Sequence, residues 1–156
     1  MTKTMTDALH IPFFGYMDDY QVTEIIKLWQ DLKKTYTKLT MLPFFVKAIS
    51  LSLSKYPLMN VNVNPETDEQ GYIKEYVIKA DHNIAVAIDS PHGLMVPTIK
   101  RVQEKSIIKI NDEILELWDW AYKGALTTED FANGTFTVSS VGNLGGKYFV
   151  PTILRP

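Results

Sequence analysis

From Gly134 to Gly146 the sequence runs Gly-Thr-Phe-Thr-Val-Ser-Ser-Val-Gly-Asn-Leu-Gly-Gly, and it holds the residue types and spacing best suited to chemistry. Ser139 and Ser140 place two hydroxyls, each able to donate and accept a hydrogen bond, just ahead of Gly142, Gly145 and Gly146. Glycine adopts positive φ without a Cβ penalty and lets a second backbone or a ligand come close. The combination suits a binding loop in which a hydroxyl meets a polar group held against glycine backbone, with Ser140 and Gly142 as its substrate-side neighbours. The plainer alternative is a strand leaving its sheet through a glycine-rich turn, and periodicity alone does not separate the two.

The remaining candidates are weaker. His10 stands before Ile11-Pro12 as a junction residue, His92 lies in the turn Asp89 to Gly93, and His82 opens an apolar strand, where a buried hydrogen-bonded role outweighs a catalytic one. None has a second histidine four residues along, the spacing by which one helix face holds a metal, so no metal is expected. The absence of cysteine excludes disulfides and thiolate catalysis. Asp18-Asp19 precede a helix and favour its N-terminal dipole rather than marking a cation site. Gly142 to Lys147 lacks the glycine spacing of a phosphate loop and has Tyr148 where a magnesium-binding Ser or Thr belongs, which argues against nucleotide hydrolysis.

The elements that must position the serines follow from hydrophobic period. Met1 to Leu9 is helix-compatible but short, and Pro12 ends it; Ile11 to Tyr16 reads as an extended strand. Val22, Ile25, Ile26, Trp29 and Leu32 recur at three- and four-residue steps, which predicts an amphipathic helix. Leu42, Phe45, Val46, Ile49 and Leu53 predict a second one with a thin polar face, hence deeper burial. Met59 to Val63 and Tyr72 to Lys79, joined by the polar stretch Asn64 to Gly71, predict an antiparallel hairpin. Ile84 to Ile88 is an unbroken apolar run for a doubly covered strand, with Leu94 to Ile99 as its central hairpin partner. Ser106 caps a helix carrying Ile107, Ile110, Ile114, Trp118 and Ala121 on its inner face, so Trp118 is expected in the core and Trp120 partly exposed. Gly124 stops that helix, Thr127 to Asp130 forms an approximate capping box, and Thr135 to Val141 is the last strand. These elements predict an α+β fold of two layers, helices packed on a mixed sheet.

The chain has 156 residues, one-domain size, with 46% hydrophobic and 22% charged residues. Its 16 basic and 18 acidic side chains create no broad positive field, so nucleic acid is not an expected partner. No apolar run approaches the roughly 20 residues of a membrane span, and the first residues lack the character of a signal or transit peptide.

Several motifs in fixed order carry a family resemblance: Thr2-Lys3-Thr4-Met5 to Tyr16, Leu42-Pro43-Phe44-Phe45-Val46-Lys47-Ala48, Tyr56-Pro57-Leu58-Met59-Asn60, His82-Asn83-Ile84-Ala85-Val86-Ala87, Gly93-Leu94-Met95-Val96-Pro97 and Gly134-Thr135-Phe136-Thr137-Val138-Ser139. Together they resemble the acyltransferase catalytic core of 2-oxoacid dehydrogenase complexes. Ile11 to Tyr16 and the serine loop look most like the branched-chain branch, with pyruvate and 2-oxoglutarate versions as alternatives.

The resemblance implies a chloramphenicol acetyltransferase-like fold, incomplete at the C-terminus, and acyl transfer from a dihydrolipoyl arm to coenzyme A in a channel between subunits. It implies that Ser139 donates a hydrogen bond to the oxyanion. The base histidine and its aspartate belong to a His-x-x-x-Asp-Gly signature expected beyond residue 156, since none of His10, His82 and His92 has Asp four residues later. Residues 1–156 are thus expected to be a partial catalytic core domain, inactive alone, with the lipoyl and peripheral-subunit-binding domains lying elsewhere. Coenzyme A enters as substrate and the lipoyl group on a separate domain. The implied assembly is a homotrimer built into a cubic or icosahedral core that meets the dehydrogenase and lipoamide dehydrogenase through other domains. The implied location is the mitochondrial matrix, with a bacterial cytoplasm as the alternative, and no membrane partner is expected. A non-catalytic, core-like scaffold subunit is the alternative function. Family members carry Arg after Leu where this chain has Leu28-Trp29, so no coenzyme A phosphate contact is carried over there.

Overall fold

The longest helix, α3 (Ile107–Lys123), shows how local signals set the frame. Ser106 sits in extended backbone and its Oγ accepts from the Lys109 N–H, while Gly124 closes the other end at φ 66°. In the computed structural model, which describes residues 6–142, 145 and 153, the other elements are α1 (Thr23–Lys33), α2 (Leu42–Lys55), β1 (Val61–Val63), β2 (Tyr76–Ile78), β3 (Ile84–Val86), β4 (Ile88–Ser90), β5 (Gly93–Met95), β6 (Thr98–Ile99), α4 (Thr128–Phe131) and β7 (Phe136–Val138). Single 3₁₀ turns follow α2 and precede α3.

The sheet that matters runs β6-β3-β7, with β3 antiparallel to β6 and parallel to β7. β1 pairs antiparallel with β2, as expected, although the ladder is shorter than the sequence suggested. Asp68 gathers the tip of that hairpin: its carboxylate accepts from the Gln70 and Tyr72 N–H groups, and its carbonyl accepts from Gly71. The core joins Val46 of α2, Ile84, Val86, Ile88 and Ile99 of the strands, Val102, and Ile110, Ile114, Leu117 and Ala121 of α3. Helices therefore cover one face of a mixed sheet, the predicted α+β layering.

Four expectations need correction. Ile11 to Tyr16 is no strand: its segment is irregular, and Phe13, Phe14 and Tyr16 stand 55%, 89% and 72% exposed. Among the described residues no strand lies beside it to complete a ladder, and Pro12 has no N–H to offer. The run Ile84 to Ile88 is broken at Ala87 because its partner contains Pro97. Pro97 accepts from the Val86 N–H at 2.9 Å but cannot donate in return, so the long hairpin becomes two short ladders, β4-β5 and β3-β6. On α3, Leu117 rather than Trp118 fills the core; Trp118 is 51% exposed, more than Trp120, and stacks on Tyr122 at 5.5 Å. On α2, Phe44 is buried and Phe45 is 40% exposed. Neighbouring helical positions differ by only about 100° around the axis, so either could flank the apolar stripe; the position of the packed layer decides. The first five residues of the expected Met1 to Leu9 helix lie outside the described residues, and residues 6–8 are helical.

Candidate functional site

The serine loop is placed by β7. Its alternation sends Phe136 and Val138 toward the core while Thr137 faces the other way, so Ser139, one residue past the strand, follows Thr137 onto the face away from the core. The register is Ile84 to Phe136, Ala85 to Thr137 and Val86 to Val138, extended by the Ala87 N–H donating to the Val138 carbonyl at 3.1 Å. Ser139 is exposed, and its hydroxyl has no hydrogen-bond partner among the described residues. Ser140 is also exposed, but its Oγ turns back to accept from the Gly142 N–H at 3.3 Å. Gly142 and Gly145 take φ of 55° and 73°, with open space where a Cβ would stand, so the chain turns here through conformations that favour glycine. Gly146 and Tyr148 lie outside the described residues.

The three histidines are not brought to this loop. His10 is exposed at the end of the first helical turn. His92 is exposed in the β4-β5 turn, its ring beside Gly124. His82 is buried, with Nδ1 2.8 Å from Ser50 Oγ and its N–H donating to Gln103 Oε1. Burial lowers its pKa from 6.5; Asp81 raises it and Lys47 lowers it further. A serine beside a histidine suggests an activated nucleophile, but Ser50 and His82 are buried, 1% and 6% exposed, and their bond ties α2 to the segment that enters β3. Among the described residues no three His, Cys, Asp or Glu side chains are gathered to hold a metal ion. Asp18 is engaged by Tyr16, whose hydroxyl donates to it at 2.9 Å, a bond that raises the Tyr16 pKa.

Elsewhere, an open cleft of about 300 Å³ between α3 and β6, rimmed by Lys100, Lys105, Lys109, Glu113 and Trp120, contains none of the described loop residues. Its three lysines face carboxylates, Lys100 that of Glu129 and both Lys105 and Lys109 that of Glu113. Trp29 donates from Nε1 to the Leu39 carbonyl at 3.0 Å and lies under the Lys33 ammonium, so at Leu28-Trp29 the chain has a structural lock. Sequence reasoning passed over Asn83. One asparagine ahead of an apolar strand carries no signal by type, yet its polar atoms bond two distant turns.

The model of the family described as 2-oxoacid dehydrogenases acyltransferase (catalytic domain) matches residues 1–156. The chain is 42% identical over 160 residues to the lipoamide acyltransferase component of the mitochondrial branched-chain alpha-keto acid dehydrogenase complex of Bos taurus, covering all of this chain and 32% of that protein. It is 39% identical over 164 residues to the dihydrolipoyllysine-residue acetyltransferase component of the pyruvate dehydrogenase complex of Staphylococcus epidermidis, covering 36% of it. The chain thus spans about a third of the length of the curated relatives it matches. Among solved structures, the cubic core of a pyruvate dehydrogenase multienzyme complex superposes with a TM-score of 0.88 at 28% identity, over 97% of this chain and 62% of that one. The truncated catalytic core of the 2-oxoacid dehydrogenase multienzyme complex from Thermoplasma acidophilum gives 0.88 at 29% identity, over 99% and 70%. These likenesses carry the chloramphenicol acetyltransferase-like fold implied by the sequence motifs.

Proposed function

Because the chain belongs to the 2-oxoacid dehydrogenase acyltransferase family, catalytic domain, we propose that it serves as the acyltransferase core of such a complex, moving an acyl group from dihydrolipoamide to coenzyme A. The observation that carries the reading is Ser139: a hydroxyl at the end of a strand parallel to the central one, facing out of the core, unbonded among the described residues and followed by left-handed glycines. A donor that is not engaged within its own fold is available to an oxygen whose charge appears only during reaction. In the transfer, a base takes the proton of the coenzyme A thiol and the thiolate adds to the thioester carbon. The resulting oxyanion accepts from Ser139 Oγ. Collapse breaks the bond to the dihydrolipoyl sulfur, which takes up the proton. The resemblance assigns that base to a His-x-x-x-Asp signature, which does not occur in residues 1–156. Ser140 and Gly142 shape the substrate side of the loop.

Identity of 42%, 41% and 41% to three branched-chain relatives, against 39% to a pyruvate-type one, favours a branched acyl group, with acetyl second. Assembly as trimers within a larger core, delivery of the lipoyl group on a separate domain, contact with the dehydrogenase and lipoamide dehydrogenase through other domains, and a mitochondrial matrix location complete the proposal. The test uses the full-length protein with S-(2-methylpropanoyl)- and S-acetyl-dihydrolipoamide and coenzyme A, with acyl-coenzyme A measured by mass spectrometry. Faster 2-methylpropanoyl transfer is expected; faster acetyl transfer would reassign the acyl group, and no thioester from either donor would overturn the proposal.

A further inference from the structure

β7 is only three residues long and pairs in parallel with β3, so no tight turn sets its register. A slip of one residue would turn Ser139 toward the core and Val138 outward. Something must pin the start of the strand, and the contacts at that point converge on Asn83, which is 8% exposed. Its Nδ2 donates to the Asn133 carbonyl at 2.9 Å, and its Oδ1 accepts from the Arg101 N–H at 2.9 Å. Its own N–H donates to Thr135 Oγ1 at 3.2 Å, and its carbonyl accepts from the Thr135 and Phe136 N–H groups at 2.8 and 3.3 Å. Arg101 and Asn133, at φ 54° and 62°, are the non-glycine residues with positive φ among the described residues, and both turns are bonded to this one side chain. Left-handed backbone is unfavourable for residues with a Cβ and persists where surrounding contacts over-determine it.

We infer that Asn83 is a positioning residue for Ser139: it clamps the turns at Arg101 and Asn133, fixes the register of β7 on β3, and so sets where the Ser139 hydroxyl stands. The inference rests on the reading of Ser139 as the oxyanion donor. A polar side chain closing a buried junction would hold the fold without touching the chemistry if it were merely structural, and a double-mutant cycle separates the two roles.

The cycle is measured on the full-length protein with Asn83→Asp, Ser139→Ala and the pair. Aspartate keeps the acceptor for the Arg101 N–H and removes the donor to Asn133. Asn83→Asp is expected to lower kcat about 10-fold to 10²-fold, the scale of a hydroxyl displaced by about 1 Å. KM for coenzyme A should stay within about twofold, and the Thr135 and Phe136 amides should lose hydrogen-exchange protection. In the Ser139→Ala background the same change should cost less than about twofold, because there is no hydroxyl left to misplace. An equal loss in both backgrounds, or unchanged protection of the two amides, overturns the inference while leaving the role of Ser139 intact. If Ser139→Ala alone leaves kcat unaltered, the reading of Ser139 fails and the inference with it. Should Asn83→Asp not assemble, Asn83→Ser, whose side chain is too short to bond both the Arg101 and the Asn133 turn, takes its place with the same outcomes.

Discussion

Replacing Ser139 by alanine separates stability from catalysis because of how the side chain is placed. In the folded protein Ser139 is exposed and its hydroxyl bonds nothing among the described residues. Its removal therefore orphans no buried partner and opens no cavity, and a surface change of this kind stays within about 0.5 kcal/mol of stability. In the proposed mechanism the same hydroxyl meets the oxyanion of the transition state, and losing one such donor costs about 10² to 10³ in kcat, or roughly 2.7 to 4 kcal/mol. Nearly all of the effect is thus a change in barrier. The assay is acyl transfer to coenzyme A by the full-length protein, with thermal unfolding and core assembly measured on the same samples. The expected result is a kcat lower by about two orders of magnitude with Tm and assembly unchanged. Ser140→Ala is the internal comparison: that hydroxyl already accepts from Gly142 within the loop, so its loss should lower kcat less. Near-wild-type turnover in Ser139→Ala would remove the hydroxyl from the mechanism. A collapse of Tm would instead give it a packing role and contradict its exposure.

Gly124→Ala tests the cap of α3: at φ 66° a Cβ would be strained and would lie 3.1 Å from His92 Nε2, so unfolding free energy should fall by more than about 1 kcal/mol in urea titrations. An equal or higher midpoint would show that the turn relaxes. His82 sets a pH dependence: burial holds its folded pKa below 6.5, so the unfolded chain binds the proton more readily. Its contribution is complete above pH 6.5 and declines as pH drops from there toward the lower folded value. His82→Gln should flatten stability against pH between 6.5 and the lower folded value, and an unchanged slope there would assign the dependence to other groups.

The frame of the fold was legible because its signals are local. The Ser106 cap, the Gly124 stop and the capping box at Thr127 and Asp130 each lie within a few residues, and each formed as read. The buried, hydrogen-bonded role of His82 was also legible, since the apolar run begins two residues after it. The errors share one cause. Ile11 to Tyr16 has the composition of a strand but no neighbour to pair with among the described residues, and the break at Ala87 comes from Pro97, which stands across the ladder. The choices of Leu117 over Trp118 and Phe44 over Phe45 needed the position of the facing layer.

The same division applies to the site. The sequence by itself determined the family, through motifs in a fixed order, and offered the candidate site, hydroxyls before a cluster of glycines. Residue type and local spacing are written along the chain and need no neighbour to be read. Only the tertiary structure decided which way Ser139 faces and what holds it there. That depends on the register of a parallel pair whose members are some fifty residues apart, Ile84 against Phe136 and Val86 against Val138, and on one buried asparagine whose partners are set by proximity in space.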